Sequence, residues 1–427
     1  MSSDLIIHSS HTNGIIKIPG SKSHTIRALV IAGLADGVSV IKNPLLSDDT
    51  LSCMKALERL GISFEGGSGE QALLKVKGTG GNLKDPDVTI NVGNSGTTLR
   101  ILTAVAALYK KKIRLDGDDS IRKRPMQPLL SALYDIGAKV DSNNGHAPLS
   151  VSGPIIGGKT MIDGISSQFL TALLLTCPLA AADTEIEVLD LHERPYVEMT
   201  LSWLDKLNIK YGNSDYKKFF VEGGQTYPPF TFTVPGDFST ATFPLVAAAI
   251  TGGNIRIKGL DTNDSQGDKR VFDIMQKMGT TIKYQPDEIV VEGGLLKGME
   301  LDLNDIPDAL PALAIAGCAA EGETKLLNVE QARLKESDRI RAICVELKKM
   351  GADIYELDHG LVIKKSQLKG TQVNGYNDHR IVMSLSLAGM IASGETIIKG
   401  GSETVNITYP SFTNDFIKLG AKLRTGK

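Results

Sequence analysis

The stretch NSGTTLRILTAVAALY, residues 94–109, begins with polar residues and runs into a helix apolar on nearly all sides. A helix without a polar face is buried. The same arrangement recurs with SKSHTIR from Ser21, SSQFLT from Ser166, DFSTATF from Asp237, DIPDALP from Asp305 and NDHRIVM from Asn377, each followed by an Ala- and Leu-rich run. Successive starts are 73, 72, 71, 68 and 72 residues apart, so the chain is six copies of one unit. Each start opens on Ser, Asn or Asp, residues that cap helix N-termini.

A second element keeps the same period. Amphipathic helices close on Gly61, Gly137, Asn208, Gly279, Gly351 and Gly420, as in MKALERLGISFE and VFDIMQKMGTTIKY. Gly or Asn past the last turn predicts a left-handed cap leading into a strand. Six units, each a buried helix, an amphipathic helix and short strands, predict an α/β fold of two lobes of three. In each lobe parallel buried helices would gather their N-termini, with their partial positive charge and free amide donors, on one face. Two such faces opposed would trap anions.

At 427 residues and 41% hydrophobic composition the chain can fill two cores. A net charge of -2 gives no global attraction to nucleic acid or anionic membrane, so anion binding must come from local clustering. Cys53, Cys177, Cys318 and Cys344 lie far apart without metal-ligand spacing and read as reduced core thiols. Met1–Ser10 lacks a signal-peptide pattern and no stretch has about 20 uninterrupted apolar residues, which predicts a cytoplasmic protein without a membrane span.

Local charge is concentrated at the helix starts. Lys22 and Arg27 lie near the N-terminus of the first buried helix, where cations are unfavourable without an anion. The stretch from Gly93 to Arg100 supplies glycines for close backbone approach and hydroxyl donors, and Arg122-Lys123-Arg124 adds three cations that on their own also fit a solvated face. In the second half Asp308 precedes an apolar helix, Arg333, Lys335, Glu336 and Arg339 share RLKESDRIR, and His379 and Arg380 share NDHRIVM. Helical spacing puts Glu336 three and Lys335 four residues from Arg339 on an amphipathic helix, which by itself also fits a surface ion-pair ladder.

Taken in order, PGSKSHTIRAL, NVGNSGTTLR, KRPMQPL, SSQFLTALL, RPYVEMTL, IPDALPALA, RLKESDRI and NDHR closely resemble the enolpyruvyl transferase family, in particular its members acting on shikimate 3-phosphate. The resemblance covers essentially the whole chain. It implies two lobes of three βαβαββ repeats, an inside-out α/β barrel arrangement, with residues 1–20 plus 235–427 in one lobe and 21–234 in the other. The first would carry the acid/base and phosphoenolpyruvate-carboxylate residues, the second most phosphate and shikimate contacts. It also implies transfer of the enolpyruvyl group of phosphoenolpyruvate to a hydroxyl, without metal or organic cofactor, by a monomer with no nucleic-acid or membrane partner.

By this resemblance Asp308 is the base, Glu336 the proton donor and acceptor, Lys22 sits at the bridging oxygen and phosphate, and His379 assists. Phosphoenolpyruvate would be held by Lys22, Asn94, Gly96, Arg124, Gln168, Arg339 and Arg380. Shikimate 3-phosphate would be held by Lys22, Ser23, Arg27, Ser166, Ser167, Gln168, Tyr196, Asp308, Gln331 and Lys335. Arg100 falls at a functional position. The absent side chain at Gly96 leaves room for glyphosate in sensitive members. Glu193 stands where a serine is common and would repel a phosphate unless turned toward Arg194. Gln331 stands for Asn, His24 for a smaller or apolar residue, Ile101 for Pro and Ile407 for a lysine. The alternatives are the transfer of enolpyruvate to UDP-N-acetylglucosamine, whose enzymes carry Lys-Asn where this chain has Lys22-Ser23, and a paralogue acting on a related cyclic acid. The fold expectation also resembles RNA phosphate cyclases, but acidic composition disfavours a nucleic-acid role.

Overall fold

A computed structural model describes residues 3–67 and 72–426; Met1, Ser2 and Lys427 lie outside the described residues, as does the segment 68–71. The chain forms two compact units. The terminal unit comprises Met1–Ser21 and Pro235–Lys427, and the middle unit Lys22–Val234. Each has its own hydrophobic core.

The middle unit contains helices α1 (Lys22–Leu34), α2 (Asp48–Arg59), α3 (Gly96–Ala106), α4 (Gln127–Asp135), α5 (Ser167–Thr176) and α6 (Arg194–Lys206). The terminal unit contains α7 (Phe238–Thr251), α8 (Arg270–Met278), α9 (Leu310–Ala319), α10 (Arg339–Lys349), α11 (His379–Ile391), α12 (Gly401–Thr404) and α13 (Phe412–Lys418). The helices without a polar face, α1, α3, α5, α7, α9 and α11, are buried along almost their whole lengths. Each fully buried Leu, Ile or Val contributes about 1.5–3 kcal/mol, which outweighs the modest helix propensity of their β-branched residues. In the terminal unit α7, α9 and α11 pack on one another, and in the middle unit α3 packs on α5.

Among the described residues the strands make six four-stranded sheets, all with one pattern: a parallel pair, then two antiparallel pairings. Ile90–Asn91 runs parallel to Ile113–Asp116, which pairs antiparallel with His146–Ser152, itself antiparallel to Lys139–Asn143. Three sheets draw a strand from a distant part of the chain: Asn13–Lys17 runs parallel to Asn254–Lys258. Thr231–Thr233 joins Val38–Lys42, and Asp4–His8 lies between Glu395–Lys399 and Lys422–Gly426. These late pairings close each unit. At the passage between units, Gly20 bridges Gly236 within the terminal unit.

The predicted stops hold. Gly61, Gly137, Gly279, Gly351 and Gly420 have φ of 98°, 105°, 120°, 88° and 95°, and Asn208 has 56°. The starts differ from the sequence reading in detail. Ser166 and Asp237 are N-caps, but α3 is capped by Ser95 and α11 by Asp378, each one residue later than expected. Asp305 is not the N-cap of α9: a 3₁₀ turn, Pro307–Ala309, intervenes, with Ile306 and Ala309 at the cap positions of the turn and of α9. Ile101 continues α3 without a break, and the four cysteines are buried and unpaired.

Candidate active site

In the middle unit the helix starts are tied together by direct hydrogen bonds. Lys22, the first residue of α1, lies 3.0 Å from Asp49 in α2. One turn on, the Arg27 guanidinium is 2% exposed and donates to Thr200 Oγ1 (3.0 Å), the Tyr196 carbonyl (2.9 Å), Thr171 Oγ1 (3.3 Å) and the Ser23 carbonyl (3.1 Å). These acceptors are all neutral. Burial therefore lowers the Arg27 pKa to about 10, still charged at neutral pH and favouring an incoming anion.

Across α3 and α5, Arg100 donates to Gln168 Oε1 at 2.6 Å while its guanidinium lies over the Phe169 ring at 5.0 Å. Arg124 is buried and donates to Asn94 Oδ1 at 3.3 Å, and Asn94 donates to Asp118 at 2.6 Å. A Cβ on Gly96 would stand 2.3 Å from Arg124 Nη1, so the missing side chain is what admits the guanidinium. The Arg122-Lys123-Arg124 run divides: Arg122 is paired with Asp116 at the surface, Lys123 is exposed, and Arg124 turns inward.

Between α5 and α6 the Ser167 hydroxyl donates to Glu193 Oε2 at 2.8 Å, with Glu193 2% exposed at the α6 N-cap and φ 55°. Glu193 is thus not turned toward Arg194. That guanidinium pairs with Glu198 at 3.1 Å and lies 3.8 Å from the Tyr216 ring centroid. The carboxylate gains instead from the N-terminus of α6 and the Ser167 donor. Ser166 is the N-cap of α5, and the Tyr196 carbonyl accepts from both Arg27 and Thr200.

In the terminal unit Arg339 is the centre. It is 1% exposed and donates to Asp308 (2.6 Å), Glu336 (2.5 Å) and Asp378 (2.8 and 3.2 Å). Burial alone would lower its pKa, but Asp378, Glu336 and Asp308 together raise it. Arg380 reaches Asp308 at 3.0 Å and Ser239 Oγ at 2.6 Å. The starts of α7, α9, α10 and α11 thus meet on two guanidinium groups. His379, 1% exposed, adjoins them as the first residue of α11.

Two readings of the RLKESDRIR segment change here. Glu336 and Lys335 are not helical: Asp338 caps α10 by accepting from the Arg341 amide at 3.0 Å, so the helix begins at Arg339 and Glu336 lies in the preceding loop. The ion pairs of Arg339 are buried, whereas Arg333 pairs with the partly exposed Asp338 and Glu356. Gln331 is buried and donates to the Asn304 carbonyl at 2.9 Å, with its Oε1 lacking a hydrogen-bond partner among the described residues. Ile407 ends a 3₁₀ turn, Val405–Ile407, and is half-buried.

Sequence reasoning missed Asp49 and Asp378 as partners of Lys22 and Arg339. Asp378 stood inside the NDHR motif, where Asn377 was the expected cap. Asp49 carried no signal, because its partner is 27 positions away. Chemically the terminal unit offers three carboxylates and two cations around one point, suited to moving protons beside a bound anion. The middle unit offers buried cations and helix N-termini, suited to phosphate and carboxylate.

A family model described as EPSP synthase (3-phosphoshikimate 1-carboxyvinyltransferase) matches residues 7–416. Proteins named 3-phosphoshikimate 1-carboxyvinyltransferase from Acetivibrio thermocellus, Ruminiclostridium cellulolyticum and Methanocaldococcus jannaschii are 52%, 49% and 47% identical to it, covering 99%, 98% and 96% of this chain and 99%, 99% and 96% of their own. A solved EPSP synthase structure from Acinetobacter baumannii superposes with a TM-score of 0.83 at 28% identity over 100% of both chains. With six repeats of one sheet pattern and this likeness along nearly its whole length, the chain belongs to the EPSP synthase family.

Proposed function

We propose that the chain transfers the enolpyruvyl group of phosphoenolpyruvate to the 5-hydroxyl of shikimate 3-phosphate, giving 5-enolpyruvylshikimate 3-phosphate and phosphate in the route to chorismate and aromatic amino acids. The observation that carries this reading is the pair of carboxylates, Asp308 and Glu336, on one buried guanidinium, Arg339, with Arg380 beside Asp308. The reaction needs this set. The hydroxyl oxygen adds to C2 of phosphoenolpyruvate as its proton leaves to a base, and a proton enters at C3 to make a methyl group. The adduct then loses phosphate as a methyl proton is taken back, restoring the double bond.

In this reading Asp308 takes the hydroxyl proton, and Glu336 delivers and removes the C3 proton. Each role is worth about 10²- to 10⁴-fold in rate. Arg339 and Arg380, which hold the chain's own acids in this state, bind the phosphoenolpyruvate carboxylate through the planar fork that suits it. Lys22 and Arg124 neutralise the departing phosphate, with Asn94 and the Gly96 backbone beside them, and His379 supports the acid. Ser23, Arg27, Ser166, Ser167, Gln168, Tyr196, Gln331 and Lys335 serve the acceptor. Ser167 contributes its backbone amide in preference to its hydroxyl, because the hydroxyl proton is committed to Glu193.

No described helix is long and apolar enough to cross a membrane. We extend the reading to a cytoplasmic monomer without nucleic-acid or membrane partners; the net charge of -2 supports the absence of a global attraction to nucleic acid or anionic membrane. Sedimentation tests the monomer. The decisive assay is phosphate release from phosphoenolpyruvate with shikimate 3-phosphate, run beside UDP-N-acetylglucosamine. Turnover only with the first acceptor supports the assignment, and none with it overturns it.

A further inference from the structure

Glu346 is a carboxylate with no part in the chemistry above, yet it is fully buried in α10. It accepts from the Asn374 amide (3.0 Å), the Tyr376 hydroxyl (2.7 Å) and Lys349 Nζ (2.8 Å to each oxygen). Two of these partners belong to the turn that ends at Asp378. In that turn Tyr376 and Asn377 have φ of 54° and 53°, two successive left-handed residues without glycine. Such backbone costs on the order of 1–3 kcal/mol per residue and persists only where its surroundings fix it.

The fixing points lie on one helix. Glu346 follows Arg339 by seven residues, two turns and about 10 Å along the same face of α10. Arg339 grips Asp378 through two hydrogen bonds, and Glu346 grips the other end of the same turn through the Asn374 amide and Tyr376. Asp378 then caps α11 by accepting from the Arg380 amide at 2.9 Å, which sets where His379 and Arg380 begin. The close backbone packing allows little slack, since a Cβ on Gly375 would meet Val382 Cγ2 at 2.4 Å. Burial and the bond to Glu346 push Tyr376 up to about 12, so its hydroxyl remains a donor throughout the neutral range.

We infer that Glu346 is a positioning residue: by holding the Asn374–Asn377 turn against α10 it sets the placement of Asp378, His379 and Arg380, and thereby of the carboxylate-binding guanidinium Arg380. An ångström of misplacement costs roughly 10²-fold in a reaction that depends on alignment. The kinetic arm rests on the enolpyruvyl-transfer reading, and the exchange arm does not.

Glu346→Leu, Glu346→Gln and Tyr376→Phe are compared with the parent by steady-state kinetics, shikimate 3-phosphate binding, melting temperature and amide hydrogen exchange. The expectation is that Glu346→Leu lowers kcat/KM for phosphoenolpyruvate by about 10- to 100-fold. Glu346→Gln, which keeps one acceptor oxygen, and Tyr376→Phe fall between it and the parent. Binding of shikimate 3-phosphate stays within about threefold, and the amides of residues 376–380 exchange faster than those of the α10 interior. Parent-like phosphoenolpyruvate kinetics with only a lower melting temperature would show a purely structural glutamate and overturn the inference. So would parallel losses toward both substrates. If Glu346→Leu does not fold, unchanged kinetics and exchange in both milder variants refute it. A parent enzyme that releases no phosphate indicts the functional reading, and the exchange comparison then decides on Glu346 alone.

Discussion

Replacing Gly96 by alanine turns one distance into a kinetic prediction. The new Cβ would lie 2.3 Å from Arg124 Nη1, whereas ordinary contact starts near 3.4 Å, so the guanidinium must retreat by about 1.1 Å. It is the far end of a flexible side chain, and α3 itself need not move. The retreat strains bonds already long, to Asn94 Oδ1 at 3.3 Å and Ser120 Oγ at 3.4 Å. Hydrogen bonds to charged groups contribute about 1.5–3 kcal/mol when well made, and less at this length. A combined loss of about 1–2 kcal/mol raises KM for phosphoenolpyruvate roughly 5- to 30-fold. KM for shikimate 3-phosphate should change less than about threefold, since the retreat leaves Arg27 and its partners in place. The melting temperature should not fall, because alanine favours the first helical turn over glycine. Glyphosate, expected to compete with phosphoenolpyruvate in the parent, should inhibit the variant far more weakly. Steady-state phosphate release with each substrate varied, with and without glyphosate, measures all of this. An unchanged KM for phosphoenolpyruvate together with undiminished glyphosate inhibition would refute the geometry. A parent that works unchanged at millimolar glyphosate and low phosphoenolpyruvate would remove the inhibitor from the argument.

Asp308→Asn and Glu336→Gln should each lower kcat by about 10²- to 10⁴-fold while both substrates still bind by calorimetry; near-normal turnover in either variant removes its acid/base role. Arg339→Gln leaves Asp308, Glu336 and Asp378 without their shared cation and should cost about 3–5 kcal/mol in denaturant unfolding as well as turnover. Loss of activity at unchanged stability would mean the three acids are compensated elsewhere. Glu193→Ser frees the Ser167 hydroxyl to donate and removes a negative charge from the starts of α5 and α6, so KM for shikimate 3-phosphate should fall; a rise would show that the carboxylate supports the acceptor site.

The starts of the buried helices show how far sequence reaches. Their composition dictated burial, their spacing dictated the repeat, and Gly61 through Gly420 dictated where each amphipathic helix stops, since only glycine or asparagine takes the left-handed cap at low cost. Even the cap shifts at Ser95 and Asp378 are one residue wide, within the range over which adjacent polar residues compete for the same amides. Glu336 was misplaced for a related reason: the spacing to Arg339 fits a helix, but Asp338 captured the Arg341 amide and started the helix after it.

Thus the amino-acid sequence by itself determined the six-unit α/β organisation and the residue types gathered at each helix start. Periodicity and capping are local properties, written within one turn of helix. Tertiary structure alone decided that Arg339 unites three acids from three segments, that Glu193 faces Ser167 and not its neighbour Arg194, that Gly96 makes room for Arg124, and that Glu346 reaches the turn before Asp378. Apart from Glu336, three residues before Arg339, these partners stand 26 to 39 residues apart and meet only when helices pack, and the low dielectric of that packing makes their pairing strong.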